Sequence, residues 1–314
     1  WSLIPFLLLN AFRMYLQGQG NASVAFYVVI AANVLNFVLN PILIFGEYGF
    51  KSMGIYGSGL ATFIGRWFSF FLIAGFVFVR RVRPTTLLAK RGNTWATQKT
   101  LLKLGLPAAG QLLLEVGIFA GTTFMIGRLS SQELAAHQIV LHVASFTFMV
   151  PLGISAAGAV RVGQAVGKKH LLRVRLIGKA ALTLSFSVMA FFAVILYLFG
   201  HPILSLFSHE QAVIDIGMTL LLVAAYFQIS DGFQVTGAGI LRGIGDTRTS
   251  LWANFVGHWI FGLPLGAYLC LGPPALRARG GWIGLSVGLT SVATILTIVW
   301  IRKSAALPRK IRIR

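Results

Sequence analysis

Apolar residues run along this chain in long blocks, and short stretches rich in Gly, Pro, Asn and charge separate them. Nine blocks stand out, at about residues 1–17, 25–45, 54–79, 101–127, 134–165, 172–200, 213–241, 248–271 and 281–301. Each approaches or exceeds the roughly 20 residues an α-helix needs to cross ~30 Å of hydrocarbon. None shows the period-two alternation of a transmembrane barrel strand. Within lipid only helices and closed barrels satisfy their own backbone, so the pattern predicts an all-α polytopic membrane protein. Composition agrees: 56% of residues are hydrophobic, 11% are charged, and the mean hydropathy is +0.80.

The net charge of +20 raises the question of nucleic acid, which would require the cations on one exposed face. Instead they cluster at Arg80, Arg81, Arg83, Lys90, Arg91, Lys99 and Lys103, again at Lys168, Lys169, Arg173, Arg175 and Lys179, and in the tail from Arg302 to Arg314. Alternation of the spans places 22 of the 27 Lys and Arg on or near one side, four (Lys51, Arg128, Arg277, Arg279) on the other, and Arg66 within a span. That asymmetry follows the positive-inside rule and predicts a cytoplasmic C-terminus. The bilayer, not a nucleic acid, is the expected partner of these charges.

Other signals narrow the chemistry. A single cysteine, Cys270, excludes an internal disulfide and a thiolate metal cluster. No Walker motif and no Ser-His-Asp or Cys-His arrangement is readable, so neither an ATP-driven pump nor an enzyme is expected. His137 and His142 lack a third zinc ligand and are expected to make polar helix contacts. His201 and His209 fall in an external loop. The Gly-rich runs 57–65 and 237–243 follow no strand, which favours close helix contacts over a phosphate loop. Trp252, Trp259 and Trp282 are expected at the interface or facing lipid.

An internal repeat sets the organisation. "LQGQGNAS" (Leu16 to Ser23) and "LRGIGDTR" (Leu241 to Arg248) align Leu, Gly and Gly at an offset of 225, with Asn21 opposite Asp246. "GIYG" (Gly54 to Gly57) returns in character as "GWIG" (Gly281 to Gly284). The first three spans therefore look like counterparts of the last three. The offset projects roughly 125 further residues before Trp1 and twelve spans in two related six-helix halves. On this reading residues 1–79 are half of one lobe, 80–100 a basic cytoplasmic loop, 101–301 a complete lobe and 302–314 a basic tail.

Of the seven acids, Glu47, Glu133, Glu210, Asp215 and Asp246 lie in loops or at span ends. Glu115 and Asp231 lie inside spans. An ionised carboxylate at bilayer depth costs at least ~2.5–3.5 kcal/mol, so it faces protein or water and is a functional candidate by default. The alternative role is a protonated carboxyl that glues helices together. With no intramembrane cation but Arg66 to pair with them, two such acids suggest a site that alternates between a cation and a proton. Spacing alone leaves open whether both reach one ion.

At these residues the chain resembles the multidrug and toxic compound extrusion (MATE) family, in particular its NorM-like bacterial branch. "GLPAAGQLLLEVGIF", "AAHQIVL" (Ala135 to Leu141), "RVGQAVG" (Arg161 to Gly167) and "LRGIGDTR" stand in the family's order and spacing, and the similarity covers essentially the whole chain. The resemblance implies a two-lobe helical bundle with about nine of twelve transmembrane helices present, in the bacterial inner membrane, as a monomer. It implies a secondary antiporter that exports amphipathic cationic drugs or dyes against Na⁺ or H⁺, with no other cofactor. Glu115 matches the family's seventh-helix glutamate and Asp231 its tenth-helix aspartate, which would hold Na⁺ together. NorM-like members carry a tyrosine four residues before that aspartate; this chain has Phe227 there, with Tyr226 and Gln228 as neighbouring polar candidates. Asn36 and Asn40 match a polar pair in the fifth helix, and Thr62 a threonine in the sixth. A flippase for a lipid-linked oligosaccharide, a role of relatives with a similar helix arrangement, is the alternative; it would want Arg or Lys in the membrane where this chain has carboxylates.

Overall fold

A computed structural model of the chain describes residues 2–79, 94–272 and 276–311, and every long element among them is helical. The contacts divide it into two units, Trp1–Thr94 and Trp95–Arg314.

The first unit holds α1 (Leu3–Gly18), α2 (Ala22–Phe45) and α3 (Ile55–Val79). The α1–α2 turn closes on glycine: Gly20 has φ +89°, and the Asn21 N–H donates to Leu16 O at 2.8 Å. Gly46 ends α2 in the left-handed region, with φ +79°. A Cβ there would lie 2.6 Å from Phe50 O, so the turn into a short 3-10 segment (Glu47–Gly49) needs glycine on two counts. Leu16, Val28, Ile73 and Val77 form a small buried core. Gly57 has no room for a Cβ against the Leu43 backbone, nor Gly65 against the Asn36 amide. The expected helix contacts in this Gly-rich run are therefore present.

The second unit holds α4 (Thr94–Ile126), α5 (Ser131–Gly167), α6 (Leu171–Ser205), α7 (Gln211–Gly243), α8 (Arg248–Leu271) and α9 (Arg277–Ile311). α7 is the central helix, packed on α5, α6 and α9 and almost wholly buried from Ser230 to Leu241. Small residues make that possible: Gly239 lies on Ser155, Gly243 on Ala159 O, and Gly237 on Leu296. α8 and α9 meet backbone to backbone along Gly257, Gly262 and Gly266 on one side and Gly281, Gly284 and Gly288 on the other. Phe255–Gly262 of α8 is a π-helical segment, ended by Pro264, which cannot donate a ladder hydrogen bond.

Among the described residues eight helices are long and apolar enough to span a membrane; α1, with 16 residues, falls just short by length. Large apolar side chains such as Phe37 and Ile55 lie on the outer surface, 80% and 91% exposed, as lipid would require of a multi-pass membrane protein. Two helices run past their expected limits. α4 begins at Thr94, inside the segment read as a loop, and α9 continues to Ile311 through most of the tail. Residues 80–93 and 312–314 lie outside the described residues.

Three tryptophans were expected at the interface, and only Trp252, 63% exposed, is placed that way. Trp282 is fully buried, because its indole N–H donates to His137 Nδ1 at 3.1 Å. Trp259 is pinned to α4 through a hydrogen bond to Leu114 O at 3.2 Å.

Candidate functional site

Glu115 on α4 and Asp231 on α7 line the same pocket, of about 450 Å³, between α4, α5 and α7. Phe119, Phe227, Phe148 and Thr123 complete most of its wall, and no Lys or Arg lines it. The two carboxylates are near enough to interact electrostatically, and Asp231 is only 7% exposed. Glu115 lies near the side-chain amides of Gln234 and Gln111. Gln111 stands one turn before Glu115 on α4, and Gln234 one turn after Asp231 on α7, so helical phase aims all four polar groups inward. Both glutamines are buried, and Gln234 also reaches Asn254 Oδ1 on α8 at 3.5 Å.

Packing fixes the wall. The Phe227 ring lies edge-on between Phe119 and Trp282, at centroid distances of 6.1 and 5.6 Å. Thr123 pairs with His137 Nε2 at 2.8 Å. Because His137 Nδ1 accepts from Trp282, Nε2 carries the ring proton and donates to Thr123; the histidine is a neutral helix contact, as expected. His142 bonds to Gln138 O of its own helix at 2.7 Å. Among the described residues no three His, Cys, Asp or Glu cluster closely enough to hold a metal ion.

The other candidates fare differently. Tyr226 is 57% exposed and lines a different groove, with Phe261 and Thr290, so it gives the carboxylates no hydroxyl. The reason is helical phase: five residues before Asp231 is about 140° around the helix, whereas Phe227, four before, shares its face. Gln228 is fully buried, hydrogen-bonds to nothing in the structure and is not part of the pocket wall. Asn36, Asn40 and Thr62 belong to the first unit. There Asn36 donates to Ala32 O at 3.0 Å, Asn40 Oδ1 is buried without a partner, and Thr62 donates to Ser58 O at 3.0 Å. Sequence reading missed Gln111, Gln234 and the Phe119–Phe148 wall. The amides had a signal, a polar residue one turn from a buried acid; the phenylalanines had none among 25.

Two acids at span ends, Glu133 buried and Asp246 partly so, tie helices of the second unit together. Glu133 follows the α5 N-cap, Ser130, and its carboxylate takes the Arg277 guanidinium and the Ala278 N–H, the latter at 2.7 Å, tying the starts of α5 and α9. Asp246, in the α7–α8 turn, caps α8 by accepting from Thr249 N at 3.1 Å and pairs with Lys303 of α9. Partial burial would raise the Asp246 pKa, but the Lys303 and Thr249 hydrogen bonds outweigh it and hold the carboxyl below its ordinary range.

Comparison with known proteins adds the family. The MatE family model matches residues 107–268, which include both pocket acids. The chain is 36% identical to a probable multidrug resistance protein NorM of Mesorhizobium japonicum, over 98% of this chain and 67% of the relative. It is 38% identical to a NorM of Rhodopseudomonas palustris, over 96% and 64%. The chain thus spans about two thirds of the length of these relatives. Its fold matches a crystal structure of MATE in the bent conformation with a TM-score of 0.87, at 20% identity over 98% of this chain and 68% of the other. It matches the eukaryotic MATE transporter AtDTX14 with a TM-score of 0.86, at 20% identity over 98% and 69%.

Proposed function

The chain belongs to the MatE family, and from that premise we propose that it serves a secondary antiporter that exports amphipathic organic cations in exchange for Na⁺ or H⁺. The supporting observation is the meeting of Glu115 and Asp231 on one pocket wall that carries no cation of its own. Two carboxylates at bilayer depth call for a counter-charge; Arg242 acts on Glu115 but does not line the pocket, so at the wall it comes from outside: a proton, an alkali cation or a cationic substrate. Whatever supplies it excludes the others, and that competition is what coupling requires. Gln111 and Gln234 can donate to a carboxylate or turn a carbonyl oxygen toward a hard cation. The faces of Phe119, Phe148 and Phe227 offer an apolar and cation–π surface to an organic cation. The same wall disfavours flipping of a pyrophosphate-linked lipid, whose anionic headgroup would be repelled by both acids. A role in drug export agrees with the relatives named as probable multidrug resistance proteins.

The test is efflux of a cationic dye from cells, with Na⁺ and proton gradients imposed separately. Glu115→Gln keeps the shape but cannot exchange a charge, and it should cut gradient-driven efflux at least about tenfold at normal expression. Full efflux in that variant would refute the reading.

A further inference from the structure

A second cavity, of about 530 Å³, opens between α6 and α9 at the end of the unit that carries the basic clusters. Arg175 and Lys179, one turn apart on α6, line it together with Phe186, Phe233 and Trp300. Both cations are exposed, and among the described residues neither forms an ion pair. Arg175 donates through Nε to Ser304 O at 3.0 Å, which fixes the guanidinium to α9. Trp300 seats on Gly178, where a Cβ would not fit, and Phe186 meets Phe233 at a centroid distance of 5.8 Å. The cavity wall is therefore fixed by the fold, with cations near the start of α6 and aromatic rings beside and beyond them.

Depth gives this arrangement a meaning. α6 has 35 residues, roughly 50 Å at 1.5 Å per residue, against ~30 Å of hydrocarbon and 40–45 Å with headgroups. The helix is kinked at Phe199, and its charge-free run, Ala180 to Gly200, is roughly 30 Å long, so the turns before it stand outside the hydrocarbon. Arg175, about 6 Å along the axis from Leu171, then falls in the headgroup layer, and Lys179, about 12 Å along, at the edge of the hydrocarbon. From there the long lysine side chain reaches its ammonium up to the headgroup layer, beside the Arg175 guanidinium and among lipid phosphates. Phe186, about 10 Å deeper than Lys179, lies at acyl-chain level.

We propose that this cavity is a binding site for an anionic phospholipid, its phosphate held by Arg175 and Lys179 and an acyl chain packed on Phe186, Phe233 and Trp300. Given the positive-inside asymmetry, the lipid comes from the cytoplasmic leaflet. The site is distinct from the Glu115–Asp231 pocket, with which it shares no lining residue, and does not depend on the transport reading.

Native mass spectrometry of the detergent-purified chain tests this with phosphatidylglycerol and phosphatidylcholine of identical acyl chains. Each cation near the headgroup layer is expected to favour the anionic lipid about fivefold, so the pair should give a preference of roughly 30-fold. Arg175→Gln with Lys179→Gln should abolish it, and Lys179→Gln alone, at an exposed and unpartnered residue, should lower it about fivefold even if the double variant folds poorly. The swap Arg175→Lys with Lys179→Arg should retain the preference. Neutralising Arg173 and Arg302, which lie outside the cavity, should also leave most of it. Equal retention of the two lipids, or an equal loss on neutralising Arg173 and Arg302, would overturn the proposal. Displacement of the lipid by millimolar glycerol phosphate would assign the site to a soluble phosphate instead and equally overturn it.

Discussion

At the residue scale, helical phase decides which polar groups serve the site. Phe227, not Tyr226, faces the carboxylates, so Tyr226→Phe should leave dye efflux within about twofold, whereas Phe227→Ala should weaken it by removing the ring wedged between Phe119 and Trp282. This is measured as efflux at matched expression. A choice by residue type favours the hydroxyl, whereas counting 100° per residue would have placed Phe227 correctly from the sequence. Asp246, in a turn outside the spans, carries an acid dependence. Its carboxyl lies below its ordinary value in the fold, so its stabilisation is complete above the unfolded value of about 3.9 and is lost as pH falls through the folded value. Asp246→Asn should remove that acid sensitivity and cost about 1 kcal/mol through the weakened α8 cap, read by thermal unfolding in detergent across pH 3–6.

At the scale of elements, the apolar blocks located the nine long helices among the described residues but not their ends. Hydropathy registers only the part of a helix inside hydrocarbon, and α5, at 37 residues, is roughly 55 Å long against a ~30 Å core. The polar extensions of α4 and α9 were therefore read as loop and tail. Trp282 was misplaced for a related reason: a tryptophan near a span end fits an interfacial belt until the partner of its N–H is known, and that partner, His137, is 145 residues away. Glycine spacing, in contrast, was legible, because small residues one or two turns apart permit backbone contact wherever the partner helix lies. Gly284 sits directly on the Gly266 backbone, so Gly284→Val should separate α8 from α9 and cost about 3 kcal/mol, seen as a lowered melting temperature in detergent. Gly59→Ala, with open space around it, should change stability little.

At the scale of the molecule, the net charge of +20 comes from clusters that lie between and after the apolar spans, while Glu115 and Asp231 lie within them. Charge asymmetry predicts a cytoplasmic C-terminus, so a C-terminal alkaline phosphatase fusion should be inactive and a fluorescent-protein fusion bright. Sequence singled out Glu115 and Asp231 because acids are so scarce in the spans, but it could not bring them together: their meeting depends on how α4 and α7 pack, 116 residues apart in the chain. The central claim is that they act as one site. A double-mutant cycle on gradient-driven dye efflux tests it most directly, with Glu115→Gln, Asp231→Asn and the pair combined. A shared site predicts that each single change costs nearly as much as both, giving a strongly non-additive cycle. Additive losses would contradict it, assigning the two carboxylates to separate tasks.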